Sequence, residues 1–206
     1  MKKLTLVLLA ATLLRAQDLT TTLKGVENRY NNINTLQVDF SYTLAKGLRK
    51  SVQKGVLYLH KPGRMRWQYA APEGNLFISD GKYVYDYDAK ENEMWKQKLN
   101  DAGDLRGALG FLLGKINFDA DFKQFESDSK TGLIKAIPKS DKAPYTEISF
   151  QATPDFTIRR LIVKGVDGST SDYTFENEKK NPPVADAMFK FSPPPGVKLI
   201  DEATGN

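Results

Sequence analysis

LHKPGRMRWQYAAPEGNLFISDGKYVYDYD, residues 59–88, holds the pattern that decides the fold. Turn-forming groups at Lys61-Pro62-Gly63, Pro72-Glu73-Gly74 and Asp80-Gly81 cut it into three short strands. Met65, Trp67 and Tyr69 alternate with polar neighbours, so a strand places all three on one face. Tyr83, Tyr85 and Tyr87 repeat the alternation in the third strand. A sheet with this much apolar bulk on one face needs a cover. The pattern alone leaves open whether that cover is the protein's own core or a ligand.

Outward from this stretch, the alternation continues. Leu36, Val38, Phe40, Tyr42 and Leu44 alternate with polar residues, as in a half-buried antiparallel strand. Residues 55–61, GVLYLHK, continue it with Leu57 and Leu59, and Gly55 marks a bend or bulge. Asp80-Gly81 is a hairpin-turn signal, and residues 94–98, MWKQK, form a further strand candidate. Upstream, Leu19, Leu23, Val26, Tyr30 and Ile33 recur at helical spacing, which predicts an amphipathic helix over residues 18–34 with Asp18 as N-cap.

The periodicity changes at residues 104–115, DLRGALGFLLGK. Leu105, Leu109 and Leu112 fall on one helical face with Leu113 beside them, while Gly107, Gly110 and Gly114 each cost up to about 1 kcal/mol relative to alanine. This predicts a short, weak, apolar helix, either a core helix or a removable lid. Five more strand patterns follow at residues 122–127, 132–138, 145–151, 157–165 and 171–177, with a turn at Asp167-Gly168. The proline run Pro193–Pro195 requires an extended tail. Roughly ten antiparallel strands with two or three short helices predict a mainly β (α+β) fold: an incomplete, highly curved antiparallel barrel.

Composition narrows the function. Lys2-Lys3 followed by an apolar run over residues 4–14 has the form of an export signal, with cleavage expected after Ala16 and residues 17–206 forming one domain. Loss of Lys2, Lys3 and Arg15 lowers the net charge from +5 to about +2. The basic pI therefore does not point to nucleic acid. The chain has no cysteine, so it has no lipid-attachment motif and must be stabilised by its core. The one histidine, His60, is expected at the surface and cannot build a metal site alone. No nucleophile elbow or phosphate-binding glycine loop is present, so no enzyme, cofactor or metal is expected.

Leu59, Lys61, Pro62 and Trp67 spell L-x-K-P-x-x-x-x-W; Pro72, I-S-D-G-K at residues 78–82, Y-V-Y-D-Y and F-K-F-S-P-P-P-G-V at residues 189–197 follow in order. Together these resemble the LolA family of periplasmic outer-membrane lipoprotein carriers. The resemblance implies an open β-barrel closed by a helical lid over a hydrophobic cavity. Its implied cargo is acylated lipoproteins, taken from an inner-membrane lipoprotein-releasing ABC transporter and passed to an outer-membrane lipoprotein receptor. A monomeric, periplasmic, non-enzymatic carrier is expected. Alternatives of the same fold are a periplasmic lipid or glycolipid binder and a lipid-sensing regulatory module.

On this reading Leu36, Val38, Phe40, Leu57 and Leu59 line the cavity together with Met65, Trp67, Tyr69, Leu76 and Ile78. Leu105, Leu109, Leu112 and Leu113 form the lid. The family commonly has an arginine before the turn proline as a lid latch, where this chain has Lys61, which lacks the planar fork of donors. Arg64 or Arg66 are alternative latch donors, and Met65 stands at a commonly aromatic position.

Overall fold

The computed structural model describes residues 18–99 and 115–203. The expected signal segment over residues 1–16 and the lid leucines Leu105, Leu109, Leu112 and Leu113 lie outside the described residues. A single helix, α1 (Leu19–Asn31), leads into one twelve-stranded sheet. The first half of the sheet comprises β1 (Thr35–Lys46), β2 (Arg49–His60), β3 (Arg64–Ala71), β4 (Glu73–Asp80), β5 (Tyr83–Asp88) and β6 (Glu93–Lys98). A one-turn helix, α2 (Phe118–Asp121), precedes β7 (Phe122–Ser127), β8 (Ile134–Pro138), β9 (Tyr145–Ala152), β10 (Ile158–Gly165) and β11 (Thr170–Lys180). A 3-10 turn (Asp186–Phe189) and β12 (Lys198–Asp201) end the chain.

Across the sheet the strands run β12-β6-β5-β4-β3-β2-β1-β11-β10-β9-β8-β7. Eleven strands form consecutive antiparallel ladders, joined at the centre by the β1–β11 pair. β12 departs from the expected antiparallel order. It pairs in parallel with β6, Leu199 opposite Met94 and Ile200 opposite Trp95, so the tail that the prolines make extended rejoins the sheet at its edge. The sheet is open and strongly curved, an incomplete barrel.

The curvature wraps the apolar alternation around α1. Val26, Tyr30 and Ile33 of the helix region are at most 4% exposed and join one core with Leu36, Val38 and Phe40 of β1 and Phe150, Leu161 and Phe175 across the seam. Burying each such side chain contributes about 1.5–3 kcal/mol. Two glycines permit the close approach. A Cβ on Gly25 would stand 2.2 Å from the Phe156 ring, so a glycine is required in mid-helix there. At Gly55, where the β2–β3 register shifts, a Cβ would stand 2.0 Å from the Gln68 carbonyl oxygen.

Polar groups fix the orientation of α1. The Tyr30 hydroxyl donates to Glu178 Oε2 (2.8 Å) and accepts from the Ile158 amide (2.9 Å), while Arg29 holds Glu178 at 2.5 Å. Burial and the Glu178 charge push the Tyr30 phenol well upward. Asn31 makes two bonds to the Ile116 backbone, and Glu27 accepts from the Phe118 amide at 2.5 Å. The chain downstream of residue 114 is thereby tied to α1.

Candidate functional site

Directly opposed residues in a ladder share a face, so the register assigns each side chain to one wall. One row crosses four strands on the concave face that α1 packs against: Val38 opposite Leu57, Leu57 opposite Trp67, Trp67 opposite Phe77. A neighbouring row is Leu36, Leu59 and Met65. Phe40 faces the same way and packs edge-on against Trp67 (ring centroids 4.5 Å) and Tyr69 (5.5 Å). Eight of the ten residues expected to line a cavity therefore share one continuous apolar wall. Seven are at most 5% exposed, and Tyr69 is half-buried.

Leu76 and Ile78 do not belong to that wall. Ile78 lies opposite Arg66 and Tyr85, and Leu76 opposite Gln68 and Tyr87, all on the convex face. The inward residue of β4 is Phe77, which packs against the concave core. Leu76-Phe77-Ile78 is apolar at both parities, so alternation cannot choose a face, and a shift of one residue exchanges the two.

The convex patch has its own cover. The C-terminal segment lays Phe189 (1% exposed) against it, and Phe191 stacks on Tyr85 and Tyr87 at 6.1 and 5.7 Å. Arg64 clamps Asp186 at 2.6 Å, and Arg66 donates to the Met188 carbonyl. Both arginines considered as latch donors are thus committed to the tail. His60, expected at the surface, lies under the same segment with its side chain 24% exposed, its ring 5.8 Å from Phe189 and Nδ1 3.6 Å from Asp186.

Lys61 reaches the other way. Its Nζ donates to the Tyr30 carbonyl oxygen at 2.7 Å, in the last turn of α1, where a cation is favoured by the helix dipole. Burial lowers the Lys61 pKa. Lys61 therefore fastens α1 to the end of β2.

Among the described residues, two spaces of different size border the concave face. Beneath α1, between Tyr30, Leu36, Val38, Ile158 and Phe175, the cavity is only about 10 Å³, too small for a ligand. Beyond the helix, a space of about 450 Å³ opens beside Tyr42, Leu44, Val163, Ser171 and Tyr173, with the Lys46–Asp167 ion pair (2.6 Å) at its rim. Tyr42 and Tyr173 stack at 4.5 Å, and the Tyr42 and Ser171 hydroxyls are within hydrogen-bond distance at 3.3 Å. Among the described residues no three histidine, cysteine or carboxylate groups converge as a metal site. The space has an apolar floor of Tyr42, Leu44, Val163 and Tyr173 and a polar rim of Lys46, Asp167, Ser169 and Ser171.

Sequence comparison agrees with this geometry. Residues 31–192 match the model of the family described as outer membrane lipoprotein carrier protein LolA. The outer-membrane lipoprotein carrier protein of Edwardsiella ictaluri is 28% identical, the match covering 86% of each chain. That of Pectobacterium carotovorum is 29% identical over 87% of each. A crystal structure of an uncharacterized conserved protein from Thermus thermophilus shares the fold, with a TM-score of 0.52 at 12% identity over 89% of this chain and 98% of the other. None of the relatives' names implies an enzymatic activity. The chain belongs to the outer membrane lipoprotein carrier protein LolA family.

Proposed function

We propose that this protein carries acylated lipoproteins through the periplasm, sequestering their acyl chains against the concave wall. The observation that carries the reading is the unbroken apolar row Val38–Leu57–Trp67–Phe77 on the inner face of an open sheet. Each methylene moved from water to such a wall contributes about 0.8 kcal/mol, so ten give roughly 8 kcal/mol, enough to keep a lipidated protein in solution. No chemical step is needed.

Residues 104–115 are the proposed removable cover, through Leu105, Leu109, Leu112 and Leu113. The described flanks support this. Leu99 is tethered to the Lys82 carbonyl at the start of β5, and Ile116 and Phe118 are tethered to α1. Displacing a cover that has its own leucines offsets part of the binding energy. Net affinity can then sit between that of a donor and that of an acceptor, and cargo moves downhill. The donor and acceptor this implies are an inner-membrane lipoprotein-releasing ABC transporter and an outer-membrane lipoprotein receptor. Lys61 contributes as the fastener of α1, the fixed side of the cavity.

Release of lipoproteins from spheroplasts tests the reading. The purified protein is expected to bring acylated lipoprotein into the supernatant as a complex identified by mass spectrometry, and Leu109→Glu to reduce the yield at least about tenfold. Free lipid without protein in the complex would favour a lipid carrier instead. Undiminished release by Leu109→Glu would remove the lid role.

A further inference from the structure

The apolar row on the concave wall ends in a charge. Asp86 of β5 lies opposite Phe77 of β4 on one side and Trp95 of β6 on the other, so the register places it on the same concave face of the sheet as Trp67 and Phe77. Solvent reaches the side chain. Even so, dehydration by the surrounding protein, followed by the nearby Asp88 charge, raises its carboxyl to about 6. Among the described residues no hydrogen bond or ion pair holds it. Its neighbours on this face are differently placed. Asp88 accepts from the Lys90 and Glu91 amides, and Glu93 is paired with Lys198 at 2.6 Å.

A solitary carboxylate on a hydrocarbon-binding wall is costly unless it does something there. We propose that Asp86 sets the cavity's preference among acyl-bearing ligands, accepting heads that are uncharged and donate N–H or O–H groups and rejecting heads that carry a phosphate. This rests on the carrier reading above and names the ligand class of the same cavity. The chemistry is direct. An ionised carboxylate can accept a bond from an amide or hydroxyl next to the acyl chains, whereas a phosphate entering the same low-dielectric space is repelled. Phospholipids share the acyl chains of a lipoprotein, so apolar burial alone cannot separate the two. A fixed negative charge beside the chains can.

The groups facing Asp86 allow a second handle. Phe77 and Trp95 do not titrate, and Asp88 is the other acid on its strand. Tyr69 on β3 feels the same field: burial first and Asp86 second push its phenol upward. Lowering the pH toward 5 therefore discharges Asp86 while Tyr69 stays neutral.

Displacement of the uncharged fluorophore N-phenyl-1-naphthylamine from the full mature chain tests the proposal. Dioctanoylglycerol and dioctanoylphosphatidylglycerol present the same two chains with a neutral or an anionic head. The wild type at pH 7.5 is expected to prefer the neutral lipid by about tenfold or more. Asp86→Asn should narrow this to about twofold, by strengthening phosphatidylglycerol binding and weakening that of dioctanoylglycerol, Asp86→Glu should keep the preference, and the wild type at pH 5 should behave like Asp86→Asn. An unaltered ratio in Asp86→Asn would overturn the role of Asp86 and leave the carrier reading standing. Failure of dioctanoylglycerol to displace the fluorophore from any form would overturn both.

Discussion

The two faces of the β3–β5 region carry the same kind of residue and are covered in opposite ways. On the convex side, Leu76, Ile78, Tyr85 and Tyr87 meet Phe189 and Phe191, held by the Arg64–Asp186 ion pair and the Arg66–Met188 bond. That cover is part of the chain, is clamped by polar bonds and leaves Phe189 at 1% exposure. On the concave side, α1 covers the start of β1, leaving a cavity of only about 10 Å³, and a space of about 450 Å³ lies beside the end of the same strand. Apolar alternation therefore identifies surfaces that need a partner. On the convex side the Arg64–Asp186 and Arg66–Met188 contacts hold the tail over the patch; on the concave side the described bonds gather at α1, which covers only the start of β1.

The contrast can be broken first on the permanent side. Phe189→Ala should cost about 3–5 kcal/mol in urea denaturation, because a fully buried ring is replaced by a void, while the surviving folded protein still binds an apolar fluorophore in the concave space. A simultaneous loss of fluorophore binding would show that the two faces are not independent. On the α1 side, Tyr30→Phe leaves Glu178 and the Ile158 amide without their shared hydroxyl and should cost about 2 kcal/mol. Gly25→Ala would stabilise an isolated helix. Here it should destabilise by about 1–2 kcal/mol, because the new methyl meets Phe156. A gain in stability would mean that α1 is less tightly seated than described.

Smaller effects sharpen the picture. Lys61→Met should cost about 0.5–1 kcal/mol by unfastening the Tyr30 carbonyl. Lys61→Arg should restore it. Asp86 gives the smallest change. Its native carboxyl sits near 6 against 3.8 unfolded, so the native state holds the proton more tightly. Stability should therefore fall as pH rises from about 4 to 6 and stay lower above that. Asp86→Asn should remove this decline, with a gain of about 0.5 kcal/mol or less at neutral pH because solvent reaches the group.

Most of the fold was legible because the signals were local. Met65, Trp67 and Tyr69 alternate with polar residues, and Asp80-Gly81 specifies a turn in which the Asp80 side chain accepts from the Lys82 and Tyr83 amides, both at 2.7 Å. What was not legible depends on distant partners. The face of β4 is set by its register with β3, not by its own apolar run, so Leu76 and Ile78 were placed inward and Phe77 was missed. The four residues of β12 find β6 about a hundred positions away and in parallel, which no periodicity announces. His60 looked like a surface residue because the segment covering it lies more than 120 residues downstream. Asp86 alternates with Tyr85 and Tyr87, a pattern that names no face, and only the register with Phe77 and Trp95 turns it inward.

The central claim, that the concave wall is where acyl chains are held, is tested most directly by a photo-crosslinker placed on either side of β4. The photoreactive amino acid p-benzoylphenylalanine in place of Phe77 faces the concave space; in place of Leu76, one residue away, it faces the C-terminal segment. Irradiation of intact cells followed by mass spectrometry is expected to give adducts to lipoprotein acyl chains from position 77 and none from position 76. Equal capture from both positions, or none from position 77, would contradict the account.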